Sequence, residues 1–259
     1  MLRRLFAVIF GVAVVFMIAV PSYAFKDNIV AAWTFEEGSG NVIHDVSGNG
    51  NDGELVGGAK WGDGKFSKAL DFDGSSNYIE VPFDESMRVL NQGDFTIAAW
   101  FKVDVVPQKH VIFQQGDGGG TGRTWLFTHQ DAGEIRSFLG NGTTASGINA
   151  EAGQWYHTAV VVTEGGGTDT VQLYVDGELA GAPFLAGMED SEGIFFIGCH
   201  KNITDLTDGI IDDLVLINKA LDKPEIEKLM NDGIEGALAT QPAGKLAVSW
   251  GSVKDNTEF

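Results

Sequence analysis

The most constraining feature of this chain is its punctuation. From Ile29 onward, short runs rich in Val, Ile, Phe, Trp and Thr are broken by Gly, Asn and Asp at roughly 8–12-residue spacing, the signature of an all-β sandwich or barrel. The chain holds 35 glycines. Strands are predicted over residues 29–35, 69–74, 78–81, 95–103, 110–115, 124–128, 134–139, 155–162, 171–180, 194–197 and 210–217. In the 95–103 run, Phe95, Ile97, Ala99 and Phe101 share one face, and Thr96, Ala98, Trp100 and Lys102 the other. One apolar face and one mixed face suit a sheet packed on another sheet. Asp176-Gly177 between alternating runs predicts a two-residue hairpin with both residues at positive φ. A single helix is expected late in the chain. Asp222 and Glu225 form a capping box, Pro224 lies in the first turn, and Ile226, Leu229 and Met230 share a face, with Gly233 as the stop.

The first 24 residues read as a secretory leader. Arg3 and Arg4 precede an apolar stretch that ends at the small-residue cleavage site Ser22-Tyr23-Ala24. The predicted layout is leader 1–24, one β domain 25–233 and a tail 234–259, in which residues 245–250 could add an edge strand. No second apolar stretch is long enough to span a membrane. Loss of Arg3 and Arg4 takes the formal net charge from −19 to −21. Such a surface repels phosphate backbones, which argues against a nucleic-acid partner. The only cysteine is Cys199. It lies in an apolar run, so it is expected to be a buried, inert thiol with no disulfide partner in the chain.

The loop His44-Asp45-Val46-Ser47-Gly48-Asn49-Gly50-Asn51-Asp52-Gly53 places oxygen-bearing side chains at alternate positions between glycines. Calcium takes six to eight oxygens at roughly 2.3–2.6 Å, and a glycine-rich loop can fold back to supply them. Residues 45–50 match the start of an EF-hand loop, but Val56 stands where the bidentate glutamate would be. Two readings stay open: a calcium loop completed by Asp212 and Asp213, or a tight Asn-Gly turn without metal. Catalytic signatures are missing. There is no Gly-x-Ser-x-Gly elbow, His-Glu-x-x-His motif or phosphate loop, and the five histidines show no metal-ligand spacing. His157 reads as a hydrogen-bonded histidine of the sandwich. Sugar binding needs exposed aromatic rings and planar polar groups. Trp61, Trp125 and Trp155, with Arg123 and Arg136, are the candidates. The variable loops 116–123, 140–147 and 200–208 are where a function would be grafted.

Taken in order, eight motifs resemble the laminin-G-like jelly roll of the concanavalin A-like lectin and glucanase superfamily. They are Trp33-Thr-Phe-Glu-Glu-Gly-Ser-Gly40, Asp45-Val-Ser-Gly-Asn-Gly-Asn-Asp-Gly53, Ala69-Leu-Asp-Phe-Asp-Gly74, Phe95-Thr-Ile-Ala-Ala-Trp100, Trp155-Tyr-His157, Leu173-Tyr-Val-Asp-Gly177, Gly209-Ile-Ile-Asp-Asp-Leu-Val215 and Ala220-Leu-Asp222 with Glu225-Ile226. The resemblance implies two facing antiparallel sheets with the first and last strands adjacent. It also implies a structural calcium held by the carboxylates of Asp45 and Asp212, with oxygens from Asn49 and Gly53. Asp213 is expected on the opposite face, because strand side chains alternate. The Glu-x-Asp-x-x-Glu strand of the family's glucanases is missing.

The expected function is a secreted, non-catalytic recognition module for an extracellular glycan or matrix ligand. Arg123, Trp125 and Arg136 are its candidate contacts. A structural or adhesive protein–protein module is the second reading, and a divergent glycan-active hydrolase or lyase the third. An aromatic row on an open sheet would favour the first, and two convergent carboxylates in a cleft the third.

Overall fold

The computed structural model of the protein describes residues 25–89, 93–116, 124–187 and 193–239. The leader, Arg123, most of the 116–123 loop and the tail from residue 240 onward lie outside the described residues. In chain order the strands are β1 Ile29–Trp33, β2 Val42–Ile43, β3 Gly53–Val56, β4 Lys60–Asp63, β5 Lys68–Asp73, β6 Tyr78–Val81, β7 Phe95–Val103 and β8 His110–Gln115. There follow β9 Thr124–Thr128, β10 Glu134–Leu139, β11 Gly142–Asn149, β12 Trp155–Thr163, β13 Asp169–Val175, β14 Glu178–Ala186, β15 Phe195–Ile197, β16 Asp208–Ile217 and the helix α1 Lys223–Leu238.

They build two eight-stranded antiparallel sheets. Sheet A runs β14-β13-β12-β7-β16-β5-β4, with β1 also paired to β16; sheet B runs β11-β10-β9-β8-β15-β6-β3-β2. The alternating runs drive this layering. Phe95, Ile97, Ala99 and Phe101 of sheet A meet Phe113, Leu126, Ile135 and Phe195 of sheet B in one buried core. A second, smaller core forms on the outer side of sheet A. There Ile226, Leu229 and Ile234 of α1 cover Ala98, Ala159, Val161 and Val215. The helix therefore seals much of the outside of sheet A.

Asp176 and Gly177 take φ values of 49° and 80°, so the hairpin forms as its dipeptide requires. Asp222 accepts from Glu225 N at 2.9 Å and Glu225 Oε2 from Asp222 N at 3.1 Å, closing the capping box. Three expectations need correction. Residues 142–147, read as part of the variable loop 140–147, lie in β11, because β10 pairs along a Gly-, Thr- and Ser-rich segment that carries little pattern of its own, with one register shift near its end. Gly233 ends the first helical segment as expected (φ 69°, ψ 178°), but a second short segment follows, and Ile234 and Ala237 in it are packed, so the folded unit runs past 233.

The third correction concerns Asp213. Strand β16 pairs with β5 over residues 208–211 and with β1 over 214–217. At the changeover the register slips, and Asp213 adopts φ 47°. Ile211 and Leu214 both face the main core. Asp212 and Asp213 between them consequently both point outward, and simple alternation fails there.

Candidate functional site

The 44–53 loop folds around Asp45. Its Oδ1 accepts from Ala32 N and Ser47 N, each at 2.9 Å, and its Oδ2 from Ser47 Oγ at 2.8 Å and Asn51 N at 3.0 Å. Asn49 presents Nδ2 to the carbonyls of Ile29 and Val30, at 3.1 and 2.9 Å. Gly53 opens β3 and is paired with Ile43. Asp212 is held elsewhere, with Oδ2 accepting from Lys65 N at 2.7 Å and Phe66 N at 3.2 Å. The loop thus points N–H groups at Asp45 and anchors Asn49 as a donor, which is the chemistry of a hydrogen-bonded clasp on β1. This donor set does not fit a cation shared by Asp45, Asn49, Gly53 and Asp212. Among the described residues, no group of three or more His, Cys, Asp or Glu side chains is arranged to hold a metal.

The outer face of sheet A is buried where Asp212 lies. Trp100 is the cross-strand partner of both Asp212 and His157. Burial pushes the Asp212 carboxyl up to about 6, and burial followed by the neighbouring Asp212, Glu235 and Glu36 charges pushes Asp213 up to about 7. Asp213 lines a cavity of about 280 Å³ with Glu36, Asp232 and Glu235. The His157 ring is almost fully buried, and desolvation pushes it down to about 3, so it is neutral and no base. Its backbone N–H donates to Asp176 Oδ1 at 2.8 Å. Cys199 is buried and its thiol is pushed up to about 12, which makes it inert. Trp155 lies edge-on to Trp100, and Trp61 packs against the main core.

Sheet B carries the more open site. Glu54, Glu80, Phe196, Gln114, Trp125 and Phe138 are successive cross-strand partners across β3, β6, β15, β8, β9 and β10. Each alternates with core residues, so all six face away from the sandwich. Six strands at about 4.8 Å spacing make this row about 24 Å long. Trp125 is its centre. Its ring stacks on Phe127 at 5.0 Å, meets Phe138 edge-on at 5.5 Å and His200 at 5.3 Å, and has Lys109 Nζ 4.7 Å from its centroid. Arg136 is on the same face of β10 as Phe138, bound to Glu134 Oε2 through Nε at 2.8 Å and Nη2 at 2.6 Å. Trp125 and Arg136, both expected as contacts, are therefore near one another, but Arg136 is engaged by its own strand.

Gln114, Phe138 and Phe196 were not singled out from the sequence. Their only signal was an outward position in alternating runs, and nothing local says which outward residues line up across strands. The loop at 200–205, expected to vary, does reach this face. His200 touches Trp125, and Lys201 N donates to Gln114 Oε1 at 3.1 Å. No helix among the described residues is long and apolar enough to cross a membrane.

Solved structures share this architecture at low identity. Domain 4 of an extracellular arabinanase from Geobacillus stearothermophilus, in complex with arabinotriose, superimposes with a TM-score of 0.58 at 19% identity, covering 78% of this chain and 98% of that one. The binding domain of Paraclostridial Mosquitocidal Protein 1 gives 0.62 at 21%, covering 80% and 52%. The Trypanosoma rangeli sialidase in complex with sialic acid gives 0.60 at 18%, covering 78% and 32%. This chain thus spans about half of the toxin binding domain and a third of the sialidase. No curated protein matches it in sequence. The matching family, Laminin_G_3, aligns over residues 73–227, from the end of β5 to the first turns of α1, and the chain belongs to it and so to the concanavalin A-like lectin/glucanases superfamily.

Proposed function

We propose that this chain is a non-catalytic carbohydrate-recognition module, exported by its leader, that binds a glycan along the outer face of sheet B. The observation that carries this reading is the cross-strand row from Glu54 to Phe138. It joins aromatic rings with amide and carboxylate groups on the face opposite α1. Aromatic rings supply apolar area for sugar faces, and planar polar groups supply hydrogen bonds to hydroxyls. The complex of the similar arabinanase domain with arabinotriose supports the ligand class.

A glycan array with the chain from Phe25 tests the proposal, run once in calcium and once in chelator. Binding is expected in both. Phe138→Ala and Tyr78→Ala on sheet B, the latter ring 6.4 Å from that of Phe196, should weaken it, while Trp155→Ala on sheet A should not. Binding lost only with Trp155→Ala would move the site to the other sheet, and an array with no hit would sink the reading.

Hydrolysis is the second reading, favoured by one observation. Glu54 and Glu80 face each other across β3 and β6, and retaining glycosidases hold two carboxyl groups about 5–5.5 Å apart. It ranks second because Glu54 is exposed, and this chemistry needs water kept from the reacting centre. Release of reducing ends from an array hit, abolished by Glu80→Gln, would promote it.

A further inference from the structure

We infer that Gln114 and Trp125 form the hydrogen-bonding centre of this face, donating two N–H groups to oxygen atoms of an uncharged saccharide. This deepens the carbohydrate reading and rests on it. The two residues are direct cross-strand partners on β8 and β9. Gln114 is fully buried and its orientation is fixed, because its Oε1 accepts from Lys201 N at 3.1 Å. Its Nε2 is left without a partner, and so is Trp125 Nε1, although both atoms are buried. A buried N–H without an acceptor is costly, and native proteins leave few of them. Two side by side, both donors, in the middle of an aromatic row, call for a ligand that brings acceptor oxygens.

The ligand class follows from the charges. Lys109 is paired with Asp205 at 2.9 Å and Arg136 with Glu134 at 2.6 Å, so neither side chain is a free cation for an acidic sugar. Glu54 and Glu80 at the far end of the row repel one. Hydroxyl, ring and glycosidic oxygens of a neutral sugar suit two neutral donors.

The way in is the 200–205 loop, whose His200 and Lys201 shield the pair. It holds Ile203 at φ 56° and Asp205 at φ 52°, conformations that side chains such as isoleucine rarely adopt. Lifting the loop would release that strain and so offset part of the cost of opening.

Trp125→Phe keeps an aromatic ring and removes the indole N–H together with the five-membered ring that carries it. Gln114→Glu keeps the acceptor for Lys201 N and replaces the free donor with an oxygen. Each is titrated by calorimetry with arabinotriose, laminaripentaose and sialic acid, alongside the unaltered chain, and each is melted without ligand. The unaltered chain should bind at least one of the two neutral saccharides more tightly than sialic acid. Each variant should weaken that binding about tenfold, the worth of a lost hydrogen bond. Trp125→Phe should lower Tm by no more than a few degrees, since the deleted N–H has no partner in the free protein and the loss is confined to the ring's packing on Phe127, Phe138 and His200. The Trp125 indole N–H resonance should shift on adding the saccharide. Neutral-sugar binding that both variants retain would overturn the inference and leave the carbohydrate reading standing. Tighter binding of sialic acid would overturn the ligand class. No binding to any of the three by the unaltered chain would overturn the inference through the reading it rests on.

Discussion

Asp212 and Asp213 are consecutive on one strand, yet their carboxylates lie on the same side of sheet A and clasp different segments. Asp212 Oδ2 holds the amides of Lys65 and Phe66, and Asp213 Oδ2 holds that of Ile234 at 2.9 Å. The left-handed backbone at Asp213, placed where β16 changes partners, makes this arrangement. One bulge thus fastens both the β4–β5 turn and the second segment of α1 to the sheet.

The clasp has a pH signature. Both carboxyls bind protons more tightly folded than unfolded, at about 6 and about 7. Their contribution to stability is therefore complete below the unfolded carboxyl range, near pH 4, and is lost as pH rises through 6 and 7. His157 acts in the opposite sense, its depressed value removing stability as pH falls below about 6.5. Asp213→Asn isolates the carboxylate effect, because it keeps an acceptor for Ile234 N and removes the charge. The variant should match the parent near pH 3.5 and exceed it by about 1–3 kcal/mol at pH 8 in urea unfolding. A variant weaker than the parent at both pH values would mean that the ionised carboxylate stabilises this junction.

Asp45 predicts a metal-independent effect. Its carboxylate accepts four hydrogen bonds, among them those of Ala32 N and Asn51 N. Asp45→Ala should cost about 2–4 kcal/mol, the scale of losing several charge-assisted bonds together. Melting in calcium and in EDTA should show the same drop. A drop confined to calcium would place a cation in this loop.

Gly64 is the third test. A Cβ there would lie 2.5 Å from Asp212 Oδ2 and 2.7 Å from Lys68 O. Gly64→Ala should lower stability by about 1–3 kcal/mol through crowding. Part of that strain is against Asp212 itself, so adding Asp212→Ala should cost less than the two single changes summed, the mark of direct coupling in a double-mutant cycle. Full additivity would place the strain on the Lys68 carbonyl alone.

The sandwich was legible because its strands carry their periodicity locally. Phe95, Ile97, Ala99 and Phe101 declare a buried face, and Asp176-Gly177 declares a hairpin, without knowledge of their partners. The places where reading failed depend on partners. Residues 142–149 have a Gly-, Thr- and Ser-rich composition that becomes strand through β10. The face of Asp213 is set by the slip of β16 against β7, where β16 passes from β5 to β1, a tertiary event with no local signal. The candidate site behaves likewise. Trp125 was visible as an aromatic candidate, but the alignment of Gln114, Phe138 and Phe196 beside it is a matter of cross-strand register. The loop around Asp45 shows the converse, since side-chain oxygens between glycines look the same whether they surround a cation or accept backbone N–H groups.

The last prediction concerns Ile203. This β-branched residue sits at φ 56° with a side chain 41% exposed. The left-handed region costs an ordinary residue roughly 1–2 kcal/mol, and glycine escapes that cost while losing more backbone entropy on folding. Two-fifths of the residue is exposed, so only part of the worth of burying an isoleucine is forfeited, and relief of strain narrowly outweighs that loss together with the entropy term. Ile203→Gly should stabilise the fold by at most about 0.5 kcal/mol, read as a rise in Tm of a degree or two. The same change relaxes the loop in its shielding position over Gln114, and saccharide binding should weaken as the fold grows more stable. A higher Tm with tighter binding would show that the shielding position is the bound one. A lower Tm would show that the packing of Ile203 outweighs its strain.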